Sequence, residues 1–257
     1  YDPSEGGVTL DGTPTMCTSP DCEIREDHGA GSSNPWMPDD TNSGGVVGDM
    51  DGALTLGTTS TSAPGVWIAS MDDGTVSRLD PETAREIARY ATARPDFVNG
   101  ARPWNEACNW SNRGNCPSRT AIDQNFDAYV ANRAFGNQGT VTKIAARERD
   151  CRDRNGDGII QTSRDLNGDG VIDRRIGFGE FFGPDDECIL WTVPVGSTDG
   201  WPRALAIGLA PPGRTVGDVW VGNYNAQTAC RLDPDTGSSR GCISIGLRPY
   251  GAASDDL

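Results

Sequence analysis

Two stretches of this chain repeat one another so closely that any fold must treat them alike. Val66-Trp67-Ile68-Ala69 is followed, after a turn, by Thr75-Val76-Ser77-Arg78-Leu79-Asp80-Pro81. Val219-Trp220-Val221-Gly222 is followed at the same offset by Thr228-Ala229-Cys230-Arg231-Leu232-Asp233-Pro234. A looser copy runs Ala128-Tyr129-Val130-Ala131-Asn132 and then Thr140-Val141-Thr142-Lys143-Ile144. Apolar and polar residues alternate along each piece, the period of a strand whose two faces meet different surroundings. The Asp-Pro that ends two of the copies cannot extend a ladder, because proline has no donor, and it therefore starts a turn.

Calling the paired segments strands B and C, a strand D is expected over residues 85–90, 188–195 and 241–246. A strand A with a PxxxA signature is expected over 117–121, 202–206 and 249–253, with the first strand A near residues 53–58. The expected fold is all-β: a β-propeller segment of about three four-stranded blades plus the start of a fourth, spanning residues 61–257. Residues 1–60, rich in Gly, Ser, Thr, Asp and Pro, read as an irregular arm. Closed propellers hold about four to eight blades, so the ring would be completed by further blades of the same precursor or of another subunit. With 33 Gly and 17 Pro and no sustained helical spacing, an all-β fold is favoured over a helical one.

These copies resemble the blades of virginiamycin B lyase-like and NHL-type propellers, in which a VWV.N...+.V.RLDP.TG pattern recurs. The resemblance runs with gaps over residues 60–257. In the lyase, catalysis is attributed to histidines and a carboxylate near a bound magnesium. The single histidine of this chain, His28, lies outside every copy, so the resemblance carries over no catalytic residue. It leaves a non-enzymatic binding or structural module as the leading reading, and a metal-dependent lyase or hydrolase with a central-channel site as the alternative.

The formal net charge of -15 argues against nucleic acid and anionic membranes as partners, since both require clustered cations. No apolar run is long enough to span a bilayer, and Tyr1 opens directly into polar sequence, as in a mature secreted, periplasmic or cell-surface chain. Eight cysteines fall into close sequential pairs, Cys17 with Cys22, Cys108 with Cys116, Cys151 with Cys188, and Cys230 with Cys242. An even count without CxxC spacing reads as disulfides formed in an oxidising compartment.

The strongest chemical signal sits between strands C and D of the second blade, in an insertion over residues 146–187. Asp153, Asn155 and Asp157 follow DxNxDG spacing, and Asp165, Asn167 and Asp169 repeat it. Such spacing sets side-chain oxygens around a tight turn, while the carbonyls of Ile159 and Val171 can turn inward after the glycine. Hard oxygen donors in this number suit one or two Ca2+ ions. A standard EF-hand would close with Glu at the twelfth position, but Arg164 and Ile176 stand there. The tandem resembles the calcium loops of dockerins and thrombospondin type 3 repeats, in which copies share carboxylates, and this implies Asp165 or Asp173 as the closing ligand. A second insertion, over residues 91–118, carries Trp104, Asn105, Asn109 and Trp110 beside Cys108 and Cys116, a candidate loop for a protein or carbohydrate ligand.

Overall fold

The computed structural model describes residues 46–48, 54–56, 65–92, 116–175 and 178–254. The chain divides into two compact units, residues 1–62 and 63–257. In the first, β1 (Val46–Gly48) pairs antiparallel with β2 (Leu54–Leu56). The segment expected to be the first strand A therefore joins a hairpin with β1 and not the sheet of the first copy.

The second unit is all-β, with three antiparallel sheets laid down in sequence order. Sheet I contains β3 (Val66–Ser70), β4 (Thr75–Leu79) and β5 (Glu86–Ala91). Sheet II contains β6 (Cys116–Ile122), β7 (Ala128–Arg133), β8 (Gln138–Ile144) and β9 (Ile189–Thr198). Sheet III contains β10 (Pro202–Ile207), β11 (Val219–Asn223), β12 (Thr228–Leu232) and β13 (Ser239–Ser244). Each strand pairs with the next, and among the described residues no sheet closes on itself. The PxxxA segments at Pro117 and Pro202 both lie on first strands, and each carries a register shift beside its proline. A residue without an N–H donor is accommodated at such an irregularity. The third PxxxA segment, from Pro249, forms no strand. It follows Gly246 at φ 67° and has no neighbouring strand to ladder with among the described residues.

The repeat reappears as repeated contacts. Trp67 pairs across the ladder with Arg78, Tyr129 with Lys143, and Trp220 with Arg231. Each cation lies over its ring, at 5.7, 5.2 and 5.9 Å from the centroid. Both Asp-Pro turns are built alike: Asp80 Oδ1 accepts the amides of Glu82 and Thr83, and Asp233 Oδ1 those of Asp235 and Thr236. Gly237, at φ 73°, completes the second turn in a conformation that a side chain would strain.

Sheet II lies between the other two. Tyr129, Ala131, Val141 and Trp191 pack with Leu205, Ile207, Val219 and Val221 of sheet III. Ala128, Val130, Ile144 and Ile189 pack with Trp67, Val76, Ala88 and Tyr90 of sheet I. Alternate side chains of β7 thus enter different cores, and five consecutive residues of this strand are buried. Cys151–Cys188 and Cys230–Cys242 are disulfides, the latter between registered partners of β12 and β13. Cys116 is also disulfide-bonded, whereas Cys17, Cys22 and Cys108 lie outside the described residues.

One polar group fastens sheets II and III together. Lys143 Nζ lies 3.2 Å from Asp127 and 3.7 Å from Asp123, and donates to the Pro234 carbonyl at 3.3 Å. Tyr129 donates to Asp123 at 2.9 Å, and Trp191 Nε1 donates to Pro234 O at 3.2 Å. Burial, reinforced by the charge of Asp127, holds the Asp123 carboxyl above its ordinary range. Lys143→Met would leave two buried carboxylates without their cation. It should lower stability by about 3–5 kcal/mol in urea unfolding at neutral pH, and a loss below about 0.5 kcal/mol would show that the cluster is not holding the junction.

Candidate metal centre

The insertion leaves sheet II after β8 and returns at β9, with Cys151–Cys188 across its neck. It folds as two turns with the same pattern of hydrogen bonds. In the first, Asp153 Oδ1 accepts Gly156 N at 2.6 Å and Oδ2 accepts Gly158 N at 2.8 Å. Asn155 Oδ1 accepts Asp157 N, and Asp157 Oδ1 accepts Ile159 N. In the second, Asp165 accepts Gly168 N and Gly170 N, both at 2.8 Å, Asn167 accepts Asp169 N, and Asp169 accepts Val171 N. Both glycines of each turn have positive φ, between 73° and 85°, which is why Gly stands at these positions.

Two glutamates complete the pattern. Glu187 Oε1 accepts the amides of Arg154 and Asn155 at 2.7 and 3.4 Å, while Oε2 accepts that of Gln161 at 2.9 Å. Glu180 Oε1 accepts those of Leu166 and Asn167 at 3.2 and 3.3 Å, while Oε2 accepts that of Asp173 at 2.8 Å. These are the second, third and ninth residues of each turn. Both carboxylates are buried, at 3% and 4% exposure, so each stands at the closed side of its turn with a full set of amide donors. Of the two carboxylates expected from the sequence to close the site, Asp165 accepts amides of the second turn and Asp173 pairs with Arg175. Neither Glu180 nor Glu187 has a sequence signature of its own, because each reaches its turn only through the fold of the whole insertion.

The insertion also seals the edge of sheet I. Glu86 donates its amide to Gly170 O at 3.0 Å and accepts Ile172 N on Oε2 at 2.9 Å, and Arg85 donates to Gly168 O. Ile172 and Phe181 pack on Ala91, and Ser163 Oγ accepts Arg89 N at 2.9 Å. Burial opposes the charge of Glu86, yet the hydrogen bonds from Arg89 and Ile172 hold its carboxyl below the usual range. Asp186, at the base of the insertion, accepts Ser163 N and Cys188 N, and burial pushes it up to about 6.

Each turn thus offers two aspartates, an asparagine and a glutamate, all oxygen donors of the kind a hard cation takes. Among the described residues no three His, Cys, Asp or Glu side chains converge as a metal-holding group, since the aspartates are folded onto the amides of their own turns. Trp104, Asn105, Asn109 and Trp110 lie outside the described residues. No protein-family model matches the chain, and no curated protein matches it.

Glu187→Gln replaces one acceptor oxygen with a donor facing an amide. With no metal added, this should cost about 1.5–3 kcal/mol and accelerate exchange of the Gln161 amide. Unchanged exchange at Gln161 would remove Glu187 from the role of clasp.

Proposed function

We propose that this chain belongs to an extracellular β-propeller acting as a binding or structural module, with calcium held in the insertion of its second sheet. What carries the reading is the regular stacking of sheet on sheet with one aromatic–cation pair per sheet, as expected of successive blades. The disulfides suit an oxidising compartment. The cation would be held by Asp153, Asn155, Asp157 and Glu187 in one turn and by Asp165, Asn167, Asp169 and Glu180 in the other, with Ile159 and Val171 lending carbonyls.

The same stacking supports partners for the outer faces. Tyr129 is 0% exposed and Trp67 6%, whereas the equivalent Trp220 is 38% exposed. Val66 and Ile68, at 46% and 49%, correspond to Ala128 and Val130, which are fully buried. Sheet III thus presents the surface that sheets I and II cover, and sheet I presents the surface that sheets II and III cover. Residues 245–254 border the Trp220 face and leave an open cleft of about 680 Å3. A further sheet of the same repeat fits this face, from the same precursor or another subunit. The isolated chain should self-associate in sedimentation, and Trp220→Glu should reduce that association. A wild-type monomer with no exposed-surface dye binding would end this part of the reading.

Calcium bound to the folded turns and not to the unfolded chain should stabilise by about 2.7 kcal/mol at a hundredfold excess over Kd. It should protect residues 150–190 from proteolysis, and Asp157→Ala should behave like the wild type in chelator. Equal cleavage with calcium and with chelator would refute the metal assignment. Turnover of lactone substrates abolished by chelation would replace the binding module with the lyase or hydrolase.

A further inference from the structure

The insertion occupies one end of sheet II, and at the opposite end the chain gathers arginines. Arg119 lies on β6, Arg133 ends β7, Arg203 lies on β10, and Arg248 follows β13. They line a continuous row of rings: Phe135 meets Trp201 edge-on at 5.1 Å, Trp201 stacks on Tyr224 at 6.2 Å, and Tyr224 meets Tyr250 at 6.4 Å. Arg133 lies over Phe135, Arg203 and Arg248 over Tyr224, and Arg203 and Arg119 over Tyr250 at 3.8 and 4.8 Å.

The chain carries a formal charge of -15, and its other arginines show how freely it can supply carboxylates. Arg214, Arg231 and Arg240 share Asp218 and its neighbours, and Arg89 and Arg174 share Asp73. In the ring row, by contrast, the partners are neutral: Arg119 donates to the adjacent Ser118 carbonyl, Arg119 and Arg203 donate to the Tyr250 phenol oxygen, and Arg133 donates to the Met71 sulfur. Among the described residues no carboxylate forms an ion pair with any of the four. The Nε atoms of Arg133 and Arg203 are buried without a hydrogen-bond partner. Burial first, and then the charges of Arg203 and Arg119, hold the Arg133 guanidinium below its ordinary value, the response of like charges crowded together.

We propose that Arg119, Arg133, Arg203 and Arg248, set along the Phe135–Trp201–Tyr224–Tyr250 row, form a binding site for a small molecule bearing a carboxylate or phosphate group. Planar guanidinium groups present paired donors that match either oxyanion. The anion offsets the repulsion among the arginines, and Tyr250, 54% exposed at the mouth of the row, offers a ring face to the body of the ligand. The site is separate from the calcium turns and does not rest on the propeller reading.

Calorimetric titration of the full chain with galacturonate and with glucose 6-phosphate tests it, with glucose and matched sodium chloride as controls. Binding of either anion, and not of glucose, is expected, weakening as salt rises. Arg203→Gln should weaken it by about tenfold or more, with no change on adding or chelating calcium. Which of the two probes binds identifies the headgroup. Should Arg203→Gln fail to fold, Arg248→Gln, on the exposed segment after β13, makes the same test. Absence of heat with both anions, or equal weakening by Arg231→Gln, whose guanidinium pairs with Asp218 outside the row, would overturn the site.

Discussion

Everything in the second unit hangs on the burial of sheet II from both sides. Tyr129, Val130, Val141 and Ile144 are fully buried, although they point alternately into two separate cores. At about 1.5–3 kcal/mol for each large apolar side chain taken out of water, this one sheet supplies most of the adhesion between its neighbours. The buried Lys143 group adds direction to that adhesion, because its hydrogen bond to Pro234 is met in only one registration of sheet III on sheet II. A sliding error would take the Pro234 carbonyl away from Lys143 and Trp191, its two donors, and leave buried polar groups unpaired.

The insertion extends the same logic to an edge. A last strand with unpaired backbone groups invites unwanted pairing, and β5 is such a strand in sheet I. Gly170 O, Ser163 Oγ and the apolar contacts of Ile172 and Phe181 cover it. Order in the turns is therefore coupled to order in β5: whatever loosens residues 165–172 also loosens the grip on Glu86, and whatever tightens those turns tightens sheet I. A disulfide at the neck shortens the loop that must be ordered, which lowers the entropy lost in docking it.

Strands B, C and D were legible in the sequence because their information is local: alternation, an aromatic at one position, a cation opposite it, and an Asp-Pro turn. The cysteine pairs at residues 151 and 188 and at 230 and 242 were legible for the same reason, since they sit at the ends of recognisable strands. What failed was what depends on neighbours. Leu54–Leu56 has strand character but finds β1 as its partner, and Pro249 has the proline of a first strand without a second strand beside it. Glu180 and Glu187 carry no motif, so that only the folded insertion identifies them as clasps.

The arginine row is the extreme case of the same limit. Positions 119, 133, 203 and 248 are scattered along a chain whose overall charge points the other way, and no window of sequence contains more than one of them with its ring. Pairing places Cys116 opposite Arg133 and Pro202 opposite Asn223, which brings the start of β6, the end of β7, the start of β10 and the end of β11 to one end of adjoining sheets. The strand that carries residues 140–144 runs away from that end and delivers the carboxylate-rich turns to the other. Antiparallel connectivity thus performs a sorting by strand end: the two Asp-Asn-Asp turns collect where β8 hands over to β9, and four guanidinium groups without a carboxylate partner among the described residues collect where β7 and β10 meet. Net charge averages over both ends and describes neither, so the ligands such a molecule takes are governed by the sorting and not by the sum.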